Sequence, residues 1–234
     1  MTPKNVTETN RLERALDATL SLLDRQVVDC EDLMVCKVDD VELTEYADEP
    51  MEVTGLLAGS AALVTRLGGR LGDSLLRYWV RIGVEQASRE VPYRIGLEEV
   101  VSLGSGLRVR GHREGYLRRQ EGNGPGTRRR LYELLGAEAT GPEGMSFGRV
   151  IDVRLEPDRE AEGRIRVIAL IVGKGRPGSM LGYDRSPDQG PWLVNRCIRW
   201  LHRHTAQVPM EYVDVDWEAG RVLLSRAPDP LESA

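Results

Sequence analysis

The chain has 234 residues, 41% hydrophobic and 29% charged, with a formal net charge of −5; this excludes a disordered chain and leaves room for one large domain or two small ones. No apolar run approaches the roughly 20 residues that span a bilayer, and the start, MTPKNVTETNRLER, lacks the basic-then-apolar form of a signal peptide, so a cytoplasmic protein is expected. Cys30, Cys36 and Cys197 are odd in number and lack a paired C-x-x-C; they read as small buried hydrophobes and not as a disulfide framework.

Asn10 reads as a helix cap with Glu13 at the capping-box position, and Leu12, Ala15, Leu16 and Leu20 recur on one face. An amphipathic helix is therefore expected within residues 1–20. Its face of Leu12, Leu16 and Leu20 could dock a partner or cover the protein's own core. Gln26 to Asp29 and Met34 to Val38 read as a hairpin across the acidic turn Cys30-Glu31-Asp32, and Val41 to Leu43 continues the sheet. Glu52 to Ala58 is an apolar run ended by Gly59, as expected of a strand covered on both faces. From Asp73 the period changes, with Leu75, Leu76, Trp79, Val80, Gly83 and Val84 at helical spacing. Val91-Pro92-Tyr93 returns to extended backbone, because proline lacks a donor and biases the residue before it towards β. Val100 to Val109 completes the unit.

Gly111 to Thr127, containing EGNGPG, reads as a linker. Beyond it the order recurs: strands over Phe147 to Leu155 and Arg164 to Val172, then a helix opened by Pro191 that runs through Trp192, Leu193, Cys197, Trp200 and Leu201. Val208-Pro209 restarts the sheet, and Glu211 to Trp217 and Arg221 to Ser225 close it around the turn Glu218-Ala219-Gly220. Ala227-Pro228-Asp229-Pro230 marks a loose tail.

The recurrence extends to individual residues. VTGLLAGSAALVTRLG, from Val53 to Gly68, aligns without a gap on VIALIVGKGRPGSMLG, from Val167 to Gly182. Upstream, Val38-Asp39-Asp40-Val41-Glu42-Leu43 matches Val150-Ile151-Asp152-Val153-Arg154-Leu155, and downstream Val91-Pro92 matches Val208-Pro209. The sequence thus predicts a mainly β protein with inserted helices: two small β-barrels in tandem, related by duplication, over 21–110 and 130–226. A helix over 1–20, a basic linker over 111–129 and a tail over 227–234 complete the organisation.

Motifs with chemical potential resolve into structural readings. Gly173-Lys174-Gly175-Arg176-Pro177-Gly178 has the G-x-G-x-x-G form, but Pro177 and the lack of a βαβ context make it a turn. Cys197, His202 and His204 lack a fourth metal ligand. Asp39, Asp40, Glu42 and Glu45 alternate along a strand and read as a solvated acidic edge; Asp214, Asp216 and Glu218 read the same way opposite Val213, Val215 and Trp217. No catalytic residue, metal or cofactor site is expected. The unusual surface is basic: Arg108, Arg110, Arg113, Arg118, Arg119, Arg128, Arg129 and Arg130, with only Glu114 and Glu121 between, give +6 and leave −11 for the rest. Such a row suits a polyanion or an acidic partner, the protein's own acidic surface included.

Leu23 to Asp29, then Val35-x-Lys37-Val38-x-Asp40-Val41, the apolar strand ending at Gly59, and Val91-Pro92 resemble the PRC-barrel domain. Ser146-x-Gly148-Arg149-Val150-x-Asp152-Val153 resembles that domain's opening hairpin more closely, since it keeps a glycine that Val35-Cys36-Lys37 lacks. The two matches cover most of the chain outside its termini and basic linker. PRC-barrel domains occur in the cytoplasmic subunit of bacterial photosynthetic reaction centres and at the C-terminus of a ribosome maturation factor, where they bind proteins. The resemblance implies a bacterial, non-enzymatic adaptor or scaffold that binds another protein or a second copy of itself. RNA or another polyanion on the arginine row is the second expectation, and small-ligand sensing between the lobes the third.

Overall fold

The structure, a computed structural model, describes residues 14–59, 62, 92–116, 124–158, 161, 163–173 and 205–230. The helices expected over 73–85 and 191–201 lie outside the described residues, as do Leu12, Arg118, Arg119, Cys197, His202, His204 and most of the glycine motif. The described part is mainly β, its main sheet curled into a half-barrel.

In the first half, β2 (Gln26–Val28) and β3 (Met34–Lys37) form the expected antiparallel hairpin. The Asp29 carboxylate shapes its turn, Oδ1 accepting the N–H of Glu31 and of Leu33, each at 2.9 Å. Those donors would otherwise be left without partners where the chain reverses. β4 (Asp40–Glu45) and β5 (Glu52–Ala58) are antiparallel, with β6 (Tyr93–Gly96) on the far side of β5. A 3-10 turn, Leu97–Glu99, leads into the hairpin of β7 (Val100–Leu103) and β8 (Leu107–Val109), and β8 returns parallel to β2.

The second half repeats those pairings in order. β10 (Glu138–Thr140) is antiparallel to β11 (Ser146–Pro157) and β11 to β12 (Ile165–Gly173); β13 (Thr205–Pro209) flanks β12. Another 3-10 turn, Met210–Tyr212, leads into β14 (Val213–Asp216) and β15 (Arg221–Leu224), and β15 runs parallel to β10. A short β16 (Asp229–Pro230) pairs with β13, so residues 229 and 230 of the expected tail are held by the sheet. Individual hydrogen bonds also recur. Asp24 N–H to Val38 O and Val38 N–H to Arg25 O, both 2.9 Å, have counterparts in Gly136 N–H to Val150 O at 2.8 Å and Val150 N–H to Ala137 O at 2.9 Å. Asp24 and Gly136 both take the left-handed conformation, with φ of 61° and 83°.

One expected landmark is displaced. The register of β5 with β6 and of β12 with β13 makes Ile95-Gly96, and not Val91-Pro92, the counterpart of Val208-Pro209. Gly96 (φ −61°, ψ 143°) and Pro209 (φ −57°, ψ 143°) share one backbone conformation before the 3-10 turn. Glycine adopts freely what proline's ring imposes, so the same geometry arises from unlike residues.

The halves do not separate into independent barrels. β12 pairs with β5 through Ile165 opposite Val53 and Arg166 opposite Glu52, and one hydrophobic cluster contains Leu22, Leu43, Leu56 and Leu107 together with Leu134, Leu155, Leu170 and Val222. The segments leading into each half are exchanged. β1 (Leu16–Asp17) and α1 (Ala18–Ser21) precede the first half, yet β1 pairs with β11 of the second. After α2 (Arg113–Tyr116), β9 (Thr127–Arg130) and α3 (Leu131–Leu134) precede the second half, yet β9 pairs with β4 of the first. The segment 127–129, expected as linker, is thus sheet.

Candidate functional site

The exchange creates two matching joints, each built on a buried aspartate. At the first, Asp152 Oδ1 accepts the N–H of Thr19 at 2.9 Å and of Val153 at 2.7 Å, and Oδ2 accepts the Thr19 hydroxyl. At the second, Asp40 Oδ1 accepts the N–H of Val41 at 2.8 Å and of Tyr132 at 3.4 Å. Tyr132 is the second residue of α3 as Thr19 is of α1, so each carboxylate receives an N–H from the first turn of the exchanged arm. Burial pushes both carboxyls up to about 7, against the opposing pull of these hydrogen bonds and, for Asp40, of the Arg130 charge.

These contacts overturn the solvated acidic edge expected at residues 39–45. Asp39, Asp40 and Glu42 are buried. Asp39 Oδ2 accepts the Gly59 N–H at 2.7 Å, fixing the turn after β5 where Gly59 has φ of 102°. Glu42 Oε1 accepts from Arg94 Nε at 2.8 Å and from the Thr54 hydroxyl at 2.9 Å. Charges leave water when partners are supplied, and here the partners come from β5, β6 and the exchanged arm. Asp214 and Glu218 are exposed and Asp216 half-buried, while Val213, Val215 and Trp217 pack against the core. Among the described residues no group of three or more His, Cys, Asp or Glu side chains could hold a metal ion.

The described arginines of the basic row fall into two sets. Arg108 in β8 pairs with Asp32 and donates to the Asp29 carbonyl at 3.3 Å; Arg110 is exposed; Arg113 opens α2, its Nε 3.7 Å from Glu114. Arg128, Arg129 and Arg130 form β9, opposite Thr44, Leu43 and Glu42. Arg128 is exposed, whereas Arg129 lies 3.4 Å from Glu45 and stacks 4.6 Å from the Trp217 ring centroid. Much of the row therefore meets the protein's own carboxylates.

The candidate leucine face is not a helix face in the described residues. Leu16 is in β1, buried opposite Leu155, while Leu20 is exposed in the four-residue α1, whose buried residue is Ala18. Pairing with β11 satisfies the β1 backbone, so extended structure replaces the expected helix at Leu16. The cysteine expectation also changes: Cys30 is exposed and Cys36 half-buried. Among the described residues no helix is long and apolar enough to cross a membrane.

No protein-family model matches the chain, and no curated protein matches it.

Proposed function

We propose that the chain is a non-enzymatic protein-binding adaptor composed of two PRC-barrel-like units, arising by tandem duplication and locked together by exchange of their leading arms. The observation that carries this reading is the identical pairing order in the two halves, down to shared backbone hydrogen bonds, in elements whose sequences resemble that domain. The main sheet's path ends at β14, in the second half, and at β9, the arm that the second half lends to the first, and among the described residues each of these strands pairs on one side. Strand edges of this kind take an extended segment of another protein by backbone hydrogen bonding. Exposed Arg128 gives the β9 edge a preference for an acidic segment.

Polyanion binding on the same arginines is the second reading; the ion pairs of Arg108 and Arg129 with Asp32 and Glu45 favour a protein partner over it. In-cell crosslinking followed by affinity purification separates the two. The adaptor reading expects a protein partner whose recovery falls about tenfold, the effect of roughly 1.4 kcal/mol, with Arg128→Glu. Recovery of no partner from a chain that is strictly monomeric at cellular concentration overturns it. Binding to a single-stranded RNA that weakens steeply with salt supports the polyanion reading instead.

A further inference from the structure

We infer that Cys30 and His112 form a thiol–disulfide exchange site, at which the Cys30 thiol takes up half of a low-molecular-weight disulfide. Cys30 Sγ lies 3.4 Å from His112 Nδ1 and 3.9 Å from Nε2, and the thiol is exposed. The two residues are far apart in sequence and are brought together by one buried carboxylate. Asp29 Oδ1 holds the hairpin turn that carries Cys30, while its Oδ2 accepts the Arg113 N–H at 3.0 Å, next to His112. Cys30 N–H donates to the Gly111 carbonyl at 3.3 Å. On the other side Gly111 N–H donates to Tyr116 Oη at 2.8 Å, and Tyr116 Oη donates to Glu99 Oε2 at 2.9 Å. Glu31 Oε1, 3.9 Å from Nδ1, faces the imidazole as its acidic neighbour. A nucleophile with a base within reach of it is the arrangement that activates a thiol.

The chemistry balances without a metal. The imidazole takes the Sγ proton, the thiolate attacks one sulfur of the small disulfide, and that S–S bond breaks as the mixed disulfide forms. The departing thiolate takes the proton back from the imidazolium, so one disulfide and one thiol are consumed and one of each is produced. Cys36 is unsuited to this role. Burial, then the neighbouring Asp39 charge, pushes its thiol up to about 12, which keeps it protonated.

The test uses the full chain with Cys36→Ser and Cys197→Ser, treated with oxidised glutathione and followed by intact mass and peptide mapping across pH 6 to 9. One mixed disulfide is expected, at Cys30. His112→Ala should slow its formation about tenfold near pH 7 and change the shape of the pH–rate profile. If the double variant unfolds, mapping of the wild-type chain gives the same readout. A Cys30 that stays unmodified, or a pH–rate profile that His112→Ala leaves unchanged, overturns the inference.

Discussion

The two joints place the same groups in the same positions but do not satisfy them equally. Thr19 offers Asp152 both its N–H and its hydroxyl, so both carboxylate oxygens are occupied. Tyr132, the counterpart of Thr19, gives Asp40 an N–H, and among the described residues Asp40 Oδ2 is buried without a hydrogen-bond partner. An unmet buried acceptor costs about 1–3 kcal/mol, so the arm led by β9 and α3 is held more weakly by its aspartate than the arm led by β1 and α1. What the comparison teaches is that repeated backbone geometry can persist while the side chains that seal it diverge.

The largest effect tests whether the arms are equivalent at all. Leu22 follows α1 and Leu134 ends α3; both are fully buried, and their carbonyls accept the N–H of Arg25 and of Ala137 in the turn that follows each helix. Truncation of either to alanine should cost about 2–5 kcal/mol, read as a lower urea midpoint. Comparable losses sustain the equivalence; a loss confined to one arm breaks it.

Next comes pH. Both aspartates have raised folded-state values, so the folded protein binds these protons more tightly than the unfolded chain, where a carboxyl titrates near 3.9. Their contribution is complete below about pH 4 and is lost as pH rises through about 7. Each tenfold gain in proton affinity on folding is worth about 1.4 kcal/mol, so stability should fall by a few kcal/mol between pH 5 and pH 8. Asp40→Asn and Asp152→Asn should each flatten this slope, measured as urea midpoints at four pH values, and differences from wild type cancel the histidines. A slope that neither variant changes removes the aspartates from the account.

The sealing hydroxyl is the more direct probe. Thr19→Val keeps the shape of the side chain but strips Asp152 Oδ2 of its donor, for a loss of about 1–3 kcal/mol. Tyr132→Thr places a hydroxyl where Asp40 lacks one. The Tyr132 ring it removes packs against the core, so the hydroxyl is read by comparison: Tyr132→Thr should be more stable than Tyr132→Val by up to about 1 kcal/mol. If Thr19→Val is neutral, the difference between the joints is not energetic.

The strands were legible because their signals are local. Glu52 to Ala58 was expected from an apolar run ended by glycine, and β5 has those bounds because Gly59 takes a left-handed φ that residues with side chains avoid. The hairpin turn at Cys30-Glu31-Asp32 was legible for a similar reason. β9 was not, since Thr-Arg-Arg-Arg has no alternation and the strand it pairs with among the described residues is β4, some 85 residues earlier. The joints were hidden too: Val38-x-Asp40-Val41 and Val150-x-Asp152-Val153 were visible as a repeated motif, but the donor to Asp152 lies 133 residues away. Alternation alone made residues 39–45 look like a solvated edge, because periodicity says which residues share a face and not what covers that face. His112, 82 residues from Cys30, carried no spacing signal.

The smallest effect concerns the position where the two arms differ most in chemistry. Leu16 pairs with Leu155 at one joint, and Arg129 pairs with the matching Leu43 at the other. Leu16 is buried, whereas Arg129 is half-buried, beside Glu45 and stacked over Trp217 in the turn after β14. A guanidinium in so open a setting gains about 0.5–1 kcal/mol from the ring and little from the carboxylate. Arg129→Ala should therefore lower the urea midpoint only slightly, and Arg129→Lys, which keeps the charge but loses the planar stack, should recover part of the difference. Leu16→Ala should cost more than either, because it removes buried apolar surface. If Arg129→Ala proves as damaging as Leu16→Ala, the contact with Trp217 closes the half-barrel as firmly as a core residue does, and the second arm owes its hold to that ring and not to Asp40.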